Sequence, residues 1–321
     1  MALLTQRHKH RPFVFVLLGI TILTTVVVVA VFALKRIGIG PLSATYLKPI
    51  NFTINQHAPS AQPKPLEASQ LMTITAPLKP AGSRNVIVYL PAGYVPKPKI
   101  KYPSIYLLHG SPGKETDWIE LGNAQQTLDQ LIQDGTIRPS IVILPDGNGG
   151  LDRDTQYINA TDGSELDEDF IWQQLVDTID AQFPTLQQAK FRAIGGLSSG
   201  GFGALNVGLK HQAIFGLIFA LSGYGHIDQN DQSAILIQGS KTTIAANSPL
   251  DYIPQLTQHN TSIWLTDGDQ DPLLLQNQEL ETALRAQNFS AELHIYPGKH
   301  DWEFWSAHLA SALTWLGKLW K

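Results

Sequence analysis

Two adjacent serines lie in a glycine-rich segment, RAIGGLSSGGFGALN at residues 192–206, between an apolar run and a helix-like run. Gly196, Ser198 and Gly200 fit the pattern G-x-S-x-G, in which a strand turns sharply into a helix and the central serine projects from the turn. Glycines suit the flanking positions because side chains there would collide with the adjoining strands. A serine presented in this way can attack a carbonyl carbon. Ser198 is therefore the candidate nucleophile, and the backbone N–H of Ser199 is a candidate oxyanion donor.

An attacking serine needs an imidazole as its base and a carboxylate that orients the imidazole. In this type of site the order along the chain is serine, acid, histidine. The segment SIWLTDGDQD ends in three candidate acids, Asp267, Asp269 and Asp271, and PGKHDW supplies His300 after the next apolar run. Both segments follow predicted strands at their carboxyl ends, where the sites of open α/β sheets gather.

A second oxyanion donor is expected upstream, where LLHGSPG at residues 107–113 ends another apolar run. The backbone N–H of Ser111 would face the developing oxyanion there. His109 is expected to pack at the strand end in a structural role. Three more histidines lie within predicted elements or at their ends, and packing is the expected role for all of them: His211, His294 and His308.

Aromatic and acidic residues near these segments have two interpretations each. Trp118, Trp302 and Trp305 could line a substrate cleft or pack in the core. The acidic stretch GSELDED at residues 163–169 could bind a metal or open a helix, and acids in a first helical turn favour the helix. We expect no metal and no cofactor, because hydroxyl, imidazole and carboxylate chemistry requires neither.

Apolar runs alternate with helix-like stretches from about residue 71 to the end of the chain. LMTIT and NVIVYLP read as paired strands joined by the turn KPAGSR. Later runs such as SIYLL, SIVIL and GLIFAL are apolar throughout, which is typical of strands in a parallel sheet covered by helices on both faces. The sequence therefore predicts an α/β catalytic domain over residues 71–321.

Composition narrows the class of protein. The chain has 321 residues, of which 43% are hydrophobic, so a sizeable core can form. It contains no cysteine, which excludes disulfides and thiolate chemistry. The net charge is −4; residues 1–36 carry five basic side chains and no acid, so the remainder carries −4 − 5 = −9. An acidic body without a basic patch argues against a nucleic-acid partner.

The N-terminal region predicts a membrane anchor. Residues 13–34 are uncharged and long enough to cross a bilayer as a helix. A retained anchor is favoured over a cleaved signal, because the segment is too long and no small-residue cleavage pattern follows. Basic residues within the tail 1–12 favour a cytoplasmic N-terminus. Residues 35–70 read as a proline-containing linker, which would leave the catalytic domain outside the cytoplasm and tethered to the membrane.

Taken together, the segments resemble the esterase D-type family of α/β-hydrolases, which includes feruloyl and acetyl esterases and has the mycolyltransferases as relatives. The segments that carry the resemblance are VYLPAGY, YPSIYLLHGSPGKETDW, ILPDGNGG, GGLSSGGFGAL, DGDQDPLL and YPGKHDWEFW. The resemblance implies the α/β-hydrolase fold, with Ser198 as nucleophile and His300 as base. The G-x-x-D pattern of the family selects Asp271 as the acid, with Asp269 as the fallback. Ser199 departs from the family, whose elbows often carry a larger residue there.

The function that follows is a membrane-tethered serine hydrolase that cleaves small-molecule or glycan-linked carboxylic esters. Transfer of the acyl group to a sugar or another alcohol would use the same residues and is the first alternative. A thioester hydrolase of the formylglutathione type is the second. A catalytically silent binding protein on the same fold is the third.

Overall fold

Eight strands form one mixed sheet in the computed structural model, which describes residues 67–96, 99–150, 154–227 and 240–321. The strands are β1 Gln70–Pro77, β2 Ser83–Leu90, β3 Ser104–Leu108, β4 Ile141–Pro145, β5 Arg192–Leu197, β6 Leu217–Leu221, β7 Ser262–Gly268 and β8 Ser290–Tyr296. Their order across the sheet is β1-β2-β4-β3-β5-β6-β7-β8. Most of the strands coincide with apolar runs of the sequence, whereas β8 alternates polar and apolar residues.

The sheet has a parallel part and an antiparallel part. The strands β1 and β2 form the predicted antiparallel hairpin, with Ile74 opposite Val86, and β2 is also antiparallel to β4. The strands β4, β3 and β5 to β8 all run in the same direction. The carboxyl ends of these parallel strands therefore meet at one edge of the sheet, which is where the candidate residues come together.

Successive side chains of each strand point to opposite faces of the sheet. Both faces are apolar, and helices cover both of them. Tyr106 and Leu108 of β3 belong to one apolar cluster and Ile105 and Leu107 to another. The first cluster includes residues of α4, α5 and α8, and the second includes residues of α2 and α9. The helices of the described residues are α1 Asp117–Glu120, α2 Ala124–Gln133, α3 Asp167–Asp169, α4 Leu175–Gln182, α5 Ser199–Lys210, α6 Lys241–Asn247, α7 Pro249–Tyr252, α8 Leu274–Ala286 and α9 Trp302–Leu319.

Two helical regions differ from the sequence pattern. The helix that the acidic stretch 163–169 was expected to open is not uniform, because the π-helical segment Phe170–Gln174 separates α3 from α4. The short helices α6 and α7 lie between β6 and β7, where no helix was predicted. They span only about two turns and one turn, which is too short for a helical period to show in the sequence.

Most of the N-terminal predictions concern residues that the structure does not describe. The tail 1–12, the span 13–34 and the linker up to residue 66 lie outside the described residues. Within the part of the chain that the structure describes, no helix is long and apolar enough to cross a bilayer. The last linker residues, Ser69 and Gln70, belong to the folded region, since Gln70 begins β1 and the Ser69 hydroxyl donates to the Asp129 carboxylate at 2.8 Å.

Candidate active site

The turn between β5 and α5 presents Ser198 at the edge of the sheet. The backbone of Ser198 has φ +52° and ψ −122°, a left-handed conformation that costs a non-glycine residue about 1–3 kcal/mol. Two backbone hydrogen bonds hold it in place: the Ser198 N–H donates to the Leu221 carbonyl at 3.0 Å, and the Phe202 N–H donates to the Ser198 carbonyl at 2.9 Å. Because Ser198 directly precedes the first residue of α5, negative charge on its substrate would face the positive end of that helix.

Glycine is required on both sides of this turn, as the sequence pattern predicts. A Cβ atom on Gly196 would lie 2.5 Å from the Gly200 carbonyl oxygen, and one on Gly200 would lie 2.4 Å from the His109 carbonyl oxygen. Both contacts are with backbone, of the first turn of α5 and of the residue directly after β3, which cannot move aside without opening the packing of the turn. The close packing of β3 against the turn therefore depends on these two glycines.

His300 joins Ser198 to an acid through its two ring nitrogens. Its Nε2 atom lies 3.0 Å from the Ser198 Oγ atom, and its Nδ1 atom lies 2.9 Å from an Asp271 carboxylate oxygen. The ring packs edge-on against Trp305, with 4.9 Å between the ring centroids and an interplanar angle of 88°. In this arrangement Nδ1–H donates to Asp271, which leaves Nε2 free to accept the Ser198 hydroxyl proton.

The acid beside His300 is Asp271, whose side chain is fully buried. The Leu273 N–H donates to its other carboxylate oxygen at 2.9 Å, and the Ser222 hydroxyl also hydrogen-bonds to it. Burial alone would raise the pKa of Asp271, but the hydrogen bonds from His300, Leu273 and Ser222 outweigh it and lower the pKa below its ordinary value. The carboxylate is therefore ionised at neutral pH.

The two other candidate acids do not contact His300 through any hydrogen bond in the described network. Asp269 is exposed, and its carboxylate accepts from the Gly298 N–H at 3.1 Å, which ties the turn after β7 to the loop before His300. Asp267 is completely buried, and its two oxygens accept from the Asn277 side-chain amide at 2.6 Å and the Gly268 N–H at 2.9 Å.

The loop after β3 passes directly over the serine turn. A Cβ atom on Gly110 would lie 3.5 Å from the Ser198 Cβ atom. Gly110 and Ser111 line the same cavity as Ser198 and His300, and this cavity has a volume of about 390 Å³. Ser199 is buried at the first position of α5, where backbone N–H groups have no partner within the helix. The N–H groups of Ser111 and Ser199 are thus carried by the two segments that adjoin the Ser198 hydroxyl.

His109 has a structural position, and it organises the loop that carries Ser111. Its buried ring accepts a hydrogen bond from the Gly147 N–H through Nε2 at 3.0 Å, so Nδ1 carries the hydrogen and donates to the Gly110 carbonyl at 2.7 Å. Burial lowers the pKa of His109, which favours this neutral form. The Tyr157 hydroxyl donates to the His109 carbonyl at 2.7 Å. The loop is therefore held by hydrogen bonds from two other segments, through Gly147 and through Tyr157.

The tryptophans divide between the cavity and the core. Trp302 and Trp305 line the cavity beside His300. Trp118 does not line it: this residue is almost completely buried, and its indole N–H donates to the Leu108 carbonyl at 2.8 Å. Trp118 meets Trp302 edge-to-face with 5.5 Å between centroids. For Trp118 the core-packing alternative is correct, because its N–H must be satisfied inside the protein.

The acidic stretch 163–169 pairs with basic side chains. Asp167 accepts from the buried Arg84 guanidinium at 2.9 Å, and Glu168 accepts from the Lys210 ammonium at 2.8 Å. Within the described ranges, no group of three or more histidine or acidic residues is placed to hold a metal ion. The acids at the start of this helical region therefore serve as ion-pair partners in the fold.

The other three histidines each stack on an aromatic ring away from Ser198, in agreement with a packing role. The stacked pairs, with their centroid distances, are His211 on Trp172 at 4.2 Å, His294 on Trp264 at 3.6 Å and His308 on Tyr296 at 4.2 Å.

One residue near the acid was not predicted from the sequence. Ser222 directly follows β6 and has φ +50°, and its hydroxyl accepts from the Trp305 indole N–H at 2.9 Å while it hydrogen-bonds to Asp271. The signal in the sequence was its place in LSG, a polar residue directly after a buried strand. Its partner could not be foreseen, because Trp305 lies 83 positions later.

Comparison with known proteins places the chain in a family. The family described as "Putative esterase" matches residues 79–316. An acetyl esterase of Caldicellulosiruptor saccharolyticus is 26% identical over 235 residues, which cover 67% of this chain and 84% of that one. An endo-1,4-beta-xylanase/feruloyl esterase of Xylanibacter ruminicola is 37% identical over 141 residues, which cover 42% of this chain and 19% of that one.

A solved structure of a ferulic acid esterase superposes with a TM-score of 0.70 at 26% sequence identity, covering 78% of this chain and 99% of that one. This similarity, together with the mostly parallel sheet, identifies the architecture as the α/β-hydrolase fold. The chain therefore belongs to this esterase family and is a carboxylic ester hydrolase.

Proposed function

We propose that Ser198, His300 and Asp271 form the catalytic triad of a serine esterase that works through an acyl-enzyme. The observation that carries this proposal is the continuous hydrogen-bonded row from the Ser198 hydroxyl through both nitrogens of His300 to the Asp271 carboxylate, at 3.0 and 2.9 Å. These distances lie within the range required for proton transfer between a nucleophile and its base.

In the first half of the reaction, the Ser198 Oγ atom attacks the ester carbonyl carbon while its proton passes to His300 Nε2. The imidazolium then gives this proton to the alkoxide oxygen as the C–O bond breaks, and the alcohol leaves. The acyl group remains on Ser198. Asp271 keeps the ring in the orientation that presents Nε2 to Ser198 and stabilises the imidazolium.

In the second half, water replaces the alcohol. His300 Nε2 takes a proton from the water as its oxygen attacks the acyl-enzyme carbonyl, and the same proton returns to Ser198 Oγ when the ester bond breaks. In both halves the carbonyl oxygen becomes negative, and we propose that the N–H groups of Ser111 and Ser199 bind it. One such donor contributes about 2.7–4 kcal/mol to transition-state stabilisation.

The size and lining of the cavity indicate which acyl groups the site could accept. Its volume of about 390 Å³ is bounded by Pro112, Leu197, Trp302 and Trp305, so the wall next to Ser198 is apolar and partly aromatic. An acetyl group would fit this space, and a planar aromatic acid could pack against an indole ring. The relatives include an acetyl esterase and a ferulic acid esterase. We propose esters of small or aromatic acids as the substrates.

We also propose that the esterase is anchored by residues 13–34 and acts outside the cytoplasm. The support is the uncharged apolar run itself and the basic residues that precede it, Arg7, Lys9 and Arg11. An ester linked to a glycan or present as a small molecule outside the cell would then be within reach of the catalytic domain.

A fluorophosphonate probe should label the full-length protein at Ser198. Ser198→Ala should abolish labelling, because the only hydroxyl hydrogen-bonded to His300 is lost from the described network. Ser199→Ala is the matched variant: it removes the neighbouring hydroxyl and keeps the backbone N–H, so the label should still attach. Mass spectrometry of the labelled peptide checks the site, and labelling that persists in Ser198→Ala would assign the nucleophile elsewhere.

Asp271→Asn should lower kcat for an acetyl ester by about 10³–10⁴-fold, equivalent to about 4–5 kcal/mol, because an amide no longer holds the imidazole in the reactive tautomer. Asp269→Asn is the control, since the amide oxygen can still accept from Gly298 and the exposed group does not touch His300. It should change kcat by less than about threefold. Equal losses in the two variants would contradict the assignment of Asp271.

Trp302→Ala should raise KM for a feruloyl ester by about tenfold and for an acetyl ester by less than about threefold, because only the larger acyl group reaches the indole. Trp302→Phe keeps an aromatic ring at this wall and should retain most of the affinity. Steady-state kinetics with acetyl, butyryl, longer-chain and feruloyl esters would measure both effects. The same KM change for acetyl and feruloyl esters would show that Trp302 does not select the acyl group.

Protease added to intact cells should remove the catalytic domain and leave the N-terminal segment in the membrane. This follows from a span at residues 13–34 with the basic tail in the cytoplasm. Immunoblots against tags at either end would follow the two parts, with a cytoplasmic protein as the control for cell integrity. A catalytic domain that resists protease until the cells are broken would reverse the proposed orientation.

A further inference from the structure

A second carboxyl group lies behind the acid that contacts His300. Asp267 ends the predicted apolar run of β7, and the Asp271 N–H donates to the Gly268 carbonyl at 3.1 Å, which closes the turn that brings the two acids together. The two side chains lie within hydrogen-bonding reach of each other, and both are fully buried. Two carboxyl groups can hydrogen-bond directly only if one of them carries a proton.

The surroundings determine which carboxyl group is protonated. Asp271 accepts hydrogen bonds from the His300 ring at 2.9 Å, from the Leu273 N–H at 2.9 Å and from the Ser222 hydroxyl, all of which favour the anion. Asp267 has the Asn277 amide and the Gly268 N–H as donors. It has no contact with the imidazole in the described network. The proton is therefore more stable on Asp267.

Burial and the nearby Asp271 carboxylate raise the pKa of Asp267 to about 8. The same arrangement, in which like charges at close range cannot both ionise, makes paired carboxyl groups share one proton in other active sites. At neutral pH this pair therefore carries a single negative charge, located on Asp271.

We propose that Asp267 is a positioning residue, a neutral carboxylic acid that donates its proton to a hydrogen bond with Asp271 and so fixes the carboxylate that orients His300. This inference rests on the proposed triad, since it assigns a role to Asp267 only through Asp271. Asp267 touches neither the substrate nor the reacting atoms.

The groups that face this pair come from five parts of the fold. The turn after β7 supplies Asp271 itself, and the loop after β8 supplies His300, the titratable ring on its far side. α8 supplies Asn277, and the residue after β6 is Ser222, both uncharged. From α9, the Trp305 indole reaches the pair through Ser222 and is also uncharged.

Loss of the Asp267 proton should lower two quantities, the stability of the folded protein and kcat/KM. The folded protein holds this proton up to a higher pH than the unfolded chain, so the native state binds more protons in the interval and stability falls as pH rises toward and through 8. In the same range, two facing anions push Asp271 away from His300, and kcat/KM should fall. A protein in which residue 267 cannot ionise should show neither change.

The test compares full-length wild type with Asp267→Asn, Asp267→Ala and the control Asp269→Asn, from pH 6 to 9.5. Over this pH range, the Tm of wild type and of the control should fall by at least ~2 °C more than the Tm of either variant at position 267. Their kcat/KM should also fall at least about tenfold between pH 7.5 and 9.5, after correction for uncatalysed hydrolysis. In Asp267→Asn, kcat/KM should change by less than about twofold over the same pH interval.

Asp267→Ala separates donation of a hydrogen bond from simple packing. It lacks a donor, so its kcat should be at least about tenfold below that of Asp267→Asn throughout the range, and this rescue by the amide would not be seen if the site were only packed. Tm profiles that are parallel in all four proteins would overturn the inference. So would equal kcat values for Asp267→Asn and Asp267→Ala.

The Tm measurement also keeps this inference apart from the proposed function. A flattened Tm profile in both variants at 267, in a protein that does not hydrolyse esters, would support the proton on Asp267 and reject the triad. Ester hydrolysis that requires Ser198 and His300, with a Tm profile unaffected at position 267, would support the triad and reject the role of Asp267.

Discussion

The left-handed backbone at Ser198 is the constraint on which the rest of the site depends. It turns the chain from β5 into α5 within one residue, and it does so only because Gly196 and Gly200 allow β3 to pack against the turn. Three features then meet at one point: the Ser198 hydroxyl, the backbone N–H of the next residue, which has no partner within the helix, and the positive end of α5. The strain is local, and two backbone hydrogen bonds offset it.

The parallel sheet supplies the other partners without further strain. Loops after β3, β7 and β8 all leave the same edge as the serine turn, and they bring Ser111, Asp271 and His300 to it. Each loop is also fixed by hydrogen bonds to neighbouring segments. His109 and Tyr157 hold the first, and Asp269 links the second to the third through Gly298. The site is therefore a set of connections supported by polar contacts, which are buried behind the first loop and exposed between the other two.

Electrostatics differ between the two ends of the proposed triad. At the serine end, negative charge would develop only during the proposed reaction, near backbone N–H groups and a helix terminus. At the acid end, a permanent charge is buried, and the structure surrounds Asp271 with donors from His300, Leu273 and Ser222. A buried carboxylate would otherwise be costly. The contacts that offset this cost are also those that orient the imidazole, so stability and geometry are supplied by the same hydrogen bonds.

The sequence alone determined most of the strand and helix pattern, the α/β class, and the segments that carry Ser198, Asp271, His300 and Ser111, because alternating apolar runs and glycine requirements are local properties of the chain. Residue types and spacing left three acids open, and only the family resemblance favoured Asp271. The sequence also could not place Trp118 in the core rather than at the cleft, or reveal Ser222 beside Trp305. Those distinctions depend on which side chains meet in space, as His300 meets Asp271 across 29 positions of chain and Ser198 across 102. Only the tertiary structure decided them, since hydrogen bonding and burial act over a few ångströms in space and leave no local pattern in the sequence.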